Sequence, residues 1–260
     1  METTTSQLQI HMFPCLSDNY GFLLHDSDNN LTAVVDTPEV SAIENALNDK
    51  QWRLTHILNT HHHWDHAGGN LELKEKTGCQ VVGPRAESRR IPGIDIEVGE
   101  GDTFQFGDFT ARIYDTPGHT AGHIIYYFES ENMAFVGDTL FAMGCGRLFE
   151  GTPEQMWSSL QKIMQLPDNT KLFCAHEYTQ TNGRFALTVE PRNQELINRM
   201  LEVNRLRNEG LPTVPTTLGL EKKTNPFLRP MSRDIQATLG MVNAPIVDVF
   251  ARIRQMKDNF

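Results

Sequence analysis

Cysteine is scarce in this 260-residue chain, and the four present, Cys15, Cys79, Cys145 and Cys174, are far apart with no Cys-x-x-Cys pair. That spacing argues against a disulfide framework and for reduced, small buried thiols in a cytosolic protein. Long apolar runs are missing too. None approaches the roughly 20 residues needed to cross a bilayer, so no membrane partner is expected. The first residues, Met1-Glu2-Thr3-Thr4-Thr5-Ser6-Gln7, lack a basic segment followed by an apolar one, so no signal peptide is expected. Cations are outnumbered, with 23 Lys and Arg against 33 Asp and Glu. A body of that sign repels phosphates at long range, which argues against a nucleic-acid partner. Repeats and low-complexity tracts are absent, and a cytoplasmic monomer is the expectation.

What is present is ordinary globular composition, 39% hydrophobic with 14 Phe, in a chain long enough for one large domain or two smaller ones. The charge is uneven. Residues 1–179 carry 11 Lys and Arg against 25 Asp and Glu, whereas residues 180–260 carry 12 against 8. A basic tail on an acidic body suits an anionic ligand, or is simply a solvated helical face.

The first two-thirds alternates short strand-like runs with helical ones. Strands are predicted at 8–13, 20–25, 31–36, 55–59, 80–83, 95–98, 103–106, 110–115, 123–128, 133–136 and 171–175, and helices at 40–49, 70–77 and 153–165. Thr152 can cap the last of these, with Pro153 in the first helical position. This pattern implies an α/β (α+β) domain of two sheets packed face to face with helices outside, over residues 1–178. Beyond it, helices are predicted at 194–208, 233–239 and 245–256, with a loop at 210–230. Residues 179–260 read as a small helical domain.

The densest chemistry lies in Thr60-His61-His62-His63-Trp64-Asp65-His66, which follows a strand and precedes a helix. Imidazole and carboxylate are standard ligands for zinc, iron and manganese. His61 and His63, two apart, can converge on one ion, while Asp65 and His66 point toward a second. More ligand-type residues stand at strand ends: His119 in Thr116-Pro117-Gly118-His119-Thr120, Asp138 in Gly137-Asp138-Thr139, and His176 in Ala175-His176-Glu177. His62 should point away from the ions, and Trp64 reads as a packing residue. His123 reads as structural, His11 and His56 as hydrogen-bonded within strands, and His25 as exposed. Asp36 either orients a ligand imidazole or caps a turn.

These motifs, with Gly137-Asp138-Thr139-Leu140-Phe141 and Ala175-His176-Glu177-Tyr178, resemble the metallo-β-lactamase superfamily, and within it the glyoxalase II (hydroxyacylglutathione hydrolase) family. The resemblance covers nearly the whole chain. It implies an αββα metallo-β-lactamase sandwich with a C-terminal α-helical domain for substrate binding. It further implies His61, His63 and His119 on a first metal, Asp65, His66 and His176 on a second, and Asp138 bridging both. The ions would be zinc, with iron or manganese as alternatives. Two such ions about 3.5–4 Å apart activate a bridging water and polarise an acyl oxygen, which suits hydrolysis. Asp65 and Asp138 are the implied catalytic carboxylates, Asp65 also orienting the water. Arg254 and Lys257, with Tyr178 and the region of Arg147 and Phe149, would receive the glycine carboxylate of glutathione. Helix-dipole complementation is the alternative role for the two C-terminal cations. Phe149 and Arg147 stand where eukaryotic relatives align tyrosine and lysine. The implied reaction is hydrolysis of S-(2-hydroxyacyl)glutathione, typically S-D-lactoylglutathione, to D-lactate and glutathione, the second step of methylglyoxal detoxification. Persulfide dioxygenase chemistry, lactone hydrolysis and inert binding of glutathione conjugates remain open alternatives.

Overall fold

The computed structural model describes residues 7–260. It packs as two compact units, and these do not divide at 178/179. One comprises residues up to Asp115 together with Gly122–Gly137, the other Thr116–Ala121 together with Asp138–Phe260.

In the first unit, β1 (Gln9–Cys15), β2 (Asn19–Asp26) and β3 (Leu31–Val35) are antiparallel neighbours. Next to β3 lie β4 (His56–Leu58), β5 (Gln80–Pro84) and β6 (Ile96–Val98), each parallel to the strand before it. Parallel neighbours need a crossover. Helix α1 (Val40–Lys50) supplies it between β3 and β4, and α2 (Trp64–Ala67) and α3 (Asn70–Thr77) supply it between β4 and β5. The buried residues of α1, Ile43, Ala46 and Leu47, recur at helical spacing and join Leu23, Val34, Ile57, Leu73 and Val81 in one core. Each large aliphatic side chain there contributes about 1.5–3 kcal/mol.

A meander of β7 (Thr103–Phe106), β8 (Phe109–Asp115), β9 (Ile124–Phe128) and β10 (Met133–Gly137) completes this unit. Phe135 of β10 meets Phe22 of β2 edge-on at 5.7 Å. The Tyr126 hydroxyl of β9 donates to the Asn59 carbonyl just past β4, at 2.8 Å. These contacts set the meander against the end of β4, where the histidine-rich segment begins. His25, expected to be exposed, is instead buried, its ring stacked 4.3 Å from Trp52 and its Nδ1 2.9 Å from the Thr32 hydroxyl. The apolar face of Trp52 makes burial of that imidazole favourable.

In the second unit a two-residue hairpin, β11 (Leu140–Phe141) with β12 (Gly144–Cys145), precedes α4 (Pro153–Met164). Thr152 and Gln155 form a reciprocal capping box around Pro153. Strand β13 (Lys171–Cys174) pairs with β14 (Thr216–Thr217). The remainder is helical: α5 (Thr179–Val189), α6 (Gln194–Asn208), α7 (Leu218–Thr224), α8 (Arg233–Leu239) and α9 (Ile246–Asp258). Helix α7 lies inside the stretch expected to be a loop. Trp157 of α4 packs on Phe250 of α9, and Phe227 fills the space between Phe250 and Phe185. At the α5–α6 crossing a Cβ on Gly183 would lie 1.9 Å from the Met200 sulfur, so only glycine allows this approach. Among the described residues no helix is long and apolar enough to cross a membrane.

Candidate metal centre

The segment Thr60–His66 leaves the end of β4 and enters α2, and in the first unit two buried carboxylates hold it. Asp36 accepts from the backbone N–H and the hydroxyl of Thr60, both at 2.8 Å, and from His66 Nδ1 at 2.8 Å. It reaches both ends of the segment from a left-handed backbone at φ +58°, a conformation that is uncommon without glycine and is kept at functional sites. Asp36 thus orients the His66 imidazole as well as holding the Thr60 turn. Glu87 holds the middle, accepting from the His62 backbone N–H at 2.9 Å and from His62 Nδ1 at 2.7 Å. Alternate residues of the segment are thus tied down, and His61, His63 and Asp65 are left to present their donor atoms.

Hydrogen bonding settles which nitrogen His61, His66 and His119 offer. The Thr60 hydroxyl gives its proton to Asp36 and lies 3.1 Å from His61 Nδ1, so that Nδ1 donates and Nε2 carries the lone pair. His61 Nε2 faces His63 Nδ1 at 3.1 Å. His66, donating from Nδ1 to Asp36, turns its Nε2 toward Asp65 Oδ2 at 3.5 Å. Asn19 donates to the same Asp65 oxygen at 3.2 Å. His123 is buried and stacked on His61 with centroids 4.8 Å apart. Trp64 departs from expectation: it is 70% exposed, because it opens the one-turn helix α2 on its outer side.

The second unit brings together His119, Asp138 and His176. His119 donates from Nδ1 to the Arg147 carbonyl at 3.0 Å, so its Nε2 lone pair faces Asp138 Oδ2 at 3.3 Å. His176 Nε2 approaches the other oxygen, Oδ1, at 3.4 Å. Gly118 makes the His119 loop possible, since a Cβ there would lie 2.8 Å from that of Met156. Glu177 fixes the turn after His176 by accepting from the Thr213 backbone and hydroxyl at 2.8 and 2.6 Å.

His66 and His119, each donating from Nδ1, turn Nε2 lone pairs toward carboxylate oxygens at 3.5 and 3.3 Å, contacts that repel unless a cation lies between them. The donors are nitrogen and oxygen, the set preferred by zinc, iron and manganese, and the groups are those of a divalent-metal site. The thiols are not suited to nucleophilic roles: burial pushes Cys145 up to about 11 and both Cys15 and Cys174 up to about 12.

Residues 22–176 match the Metallo-beta-lactamase superfamily, and residues 177–260 match the Hydroxyacylglutathione hydrolase C-terminus. The hydroxyacylglutathione hydrolase of Maricaulis maris is 53% identical over 98% of this chain and 100% of its own length. That of Methylococcus capsulatus is 54% identical over 97% of this chain and 99% of its own. The chain belongs to the hydroxyacylglutathione hydrolase family. These relatives are metal-dependent hydrolases of the metallo-β-lactamase superfamily. The fold is the metallo-β-lactamase fold, mixed α/β sheets with a C-terminal helical region. The crystal structure of ETHE1 from Myxococcus xanthus shares that fold with a TM-score of 0.65 at 24% identity, covering 96% of each chain.

The residues expected to receive substrate in this hydroxyacylglutathione hydrolase family member all lie in the second unit. Tyr178 stacks on His176 with centroids 4.7 Å apart and planes 2° from parallel. Phe149 is exposed with its ring 5.2 Å from that of His119, and the Arg147 side chain is exposed. Arg254 is not an exposed carboxylate trap. It is 5% exposed, donates to the Cys145 carbonyl at 2.8 Å, pairs with Asp258 at 2.9 Å and lies 5.0 Å over Phe227. Lys257, one turn on, is half-buried over Phe185 and Phe260. Burial and the neighbouring Arg254, Arg147 and Arg184 lower its pKa, against the opposing pull of Asp258. Arg184, not anticipated from the sequence, therefore belongs to this group of cations.

Proposed function

We propose that the chain hydrolyses S-(2-hydroxyacyl)glutathione, S-D-lactoylglutathione being the typical substrate, to the 2-hydroxy acid and glutathione in methylglyoxal detoxification. The observation that carries the metal assignment is the sorting of donors into two sets within each unit. His119 and His176 take opposite oxygens of Asp138, while His61 pairs with His63 and Asp65 with His66. A carboxylate approached in this way is suited to bridge two ions. His61, His63 and His119 would hold one, Asp65, His66 and His176 the other, and Asp138 both. Two divalent ions held there, zinc being the first expectation, would supply a water of lowered pKa and polarise the acyl oxygen.

The chain's own residues do the rest. Asp65, steadied by Asn19, orients the attacking water. Arg147, Arg184 and Lys257 attract the carboxylates of glutathione, charge-assisted contacts being about twice as strong as neutral ones. Tyr178, stacked on His176, and Phe149, beside His119, complete the pocket with Arg147. The thiolate released has a pKa of about 8.5 and leaves with little acid assistance. Residues 1–178 act as the catalytic portion and residues 179–260 as the substrate-binding portion. Four buried cysteines without disulfides suit a reducing cytoplasm.

Purified protein assayed with S-D-lactoylglutathione, with metal content measured on the same sample, is expected to release thiol with two divalent ions per chain. Two bound ions without thioester cleavage would overturn the substrate assignment. Cleavage with one ion or none would overturn the binuclear site.

A further inference from the structure

Glu87 has no place in the ligand set, yet it is the least accessible carboxylate that touches the His61–His63 segment, at 2% exposure. It sits on a single 3-10 turn, Arg85–Glu87, after β5. Its Oε2 accepts from both the backbone and the ring of His62, and its Oε1 accepts from the Gly122 backbone N–H at 2.9 Å. A Cβ on Gly122 would lie 2.6 Å from Glu87 Cγ, so the carboxyl arm is seated directly on that backbone. From the outside, Arg90 Nη2 contacts His62 Nε2. A guanidinium only donates, so Nε2 accepts and Nδ1–H is the proton given to Glu87. His62 is thereby locked at both ring nitrogens and at its backbone. His61 and His63, its neighbours on either side, lose their freedom with it. His123, adjacent to Gly122, stacks on His61 with centroids 4.8 Å apart.

We infer that Glu87, acting through His62, is a positioning residue that sets the spacing of His61 and His63 for the ion they share, with Arg90 fixing the ring of His62. The inference rests on the two-ion reading above. Asp36 anchors the ends of the same segment, Thr60 and His66, so loss of Glu87 should loosen one ion more than the other. Partners of this kind typically change metal affinity ~10–100-fold when removed.

The test is a competitive chelator titration of zinc on the parent, Glu87→Ala and Glu87→Gln proteins. Visible spectra of the cobalt-loaded forms are recorded alongside. Glu87→Gln keeps the volume and one acceptor oxygen, so it reports on the clamp even where the alanine variant does not fold. The expected result is ~10–100-fold weaker binding of one ion in Glu87→Ala and a smaller loss in Glu87→Gln. The second affinity should hold, and the cobalt bands of one site alone should change. Two affinities within about two-fold of the parent in both variants, or equal loss at both sites, would overturn the clamp. A parent that binds fewer than two ions would instead sink the binuclear reading on which it stands.

Discussion

Replacing Glu221 by Gln should destabilise the second unit and weaken substrate binding together. Glu221 is fully buried on α7, and its Oε1 accepts from Arg199 of α6 and from the Thr216 hydroxyl, at 2.5 and 2.7 Å. Its Oε2 accepts from the Met143 backbone N–H at 2.8 Å and from Asn225 at 3.0 Å. Asn225 also donates to the carbonyls of Phe141 and Gly144. One carboxylate thus ties α6, α7 and the β11–β12 hairpin together, and that hairpin joins Asp138 to Arg147. Removing one partner of a buried ion pair costs about 3–5 kcal/mol, because the other charge is left uncompensated. Arg199 is 9% exposed, so water offers it little relief. With a melting shift of about 2–4 °C per kcal/mol for a chain of this size, Glu221→Gln should lower Tm by about 6–20 °C. Differential scanning calorimetry reads the shift. Replacing both partners, Glu221→Leu with Arg199→Met, should recover most of it, since no buried charge is then stranded. A single-mutant shift below about 2 °C would refute the reasoning, as would a double mutant less stable than the single one.

Three further outcomes follow from the same geometry. The KM for a glutathione thioester should rise with pH from below the ordinary lysine range, because the lowered pKa of Lys257 brings forward loss of the charge that meets the carboxylates. Lys257→Arg should remove that alkaline limb in pH-resolved steady-state kinetics. Gly137→Ala should cost about 1–2 kcal/mol for its φ of +47° alone, and more because its Cβ would lie 2.6 Å from Thr60 Oγ1; urea unfolding measures it. Although burial opposes it, hydrogen bonds from Arg229, Asn193 and Ser232 depress the pKa of Glu190. The stabilisation this brings is present above the ordinary glutamate pKa and lost as pH falls through the depressed one, so Glu190→Gln should flatten the loss of stability below the ordinary glutamate range in acid melts.

Legibility in the sequence followed the range of the interaction. Strands β7 and β10 and helices α3, α6 and α8 stand where periodicity placed them, because one buried face imposes its period on the residues. Helix α5 escaped, since Thr179-Gln180-Thr181-Asn182-Gly183 is poor in helix formers and its Gly183 is needed by Met200 and Met143, both distant in sequence. The seven residues proposed as metal donors stand in motifs at strand ends that are legible in the sequence, each presented by local backbone. Glu87 is not legible: it sits in the polar run Arg85-Ala86-Glu87-Ser88-Arg89-Arg90, which reads as surface until the fold brings it to His62. Arg254 misled for a related reason. Helical spacing puts it on the face of Lys257, but only the hairpin carbonyl of Cys145 explains why it turns inward.

The exposure of Trp64 has a use of its own. Placed in sequence between His63 and Asp65, it is an indole in water, whereas Trp157 is buried and Trp52 lies beneath His25. Emission from Trp64 therefore falls at longer wavelength than that of Trp157. An open-shell ion such as cobalt bound by its neighbours would quench it first, while zinc would leave it bright. The molecule carries its own optical gauge of which ion occupies the segment, readable without a label.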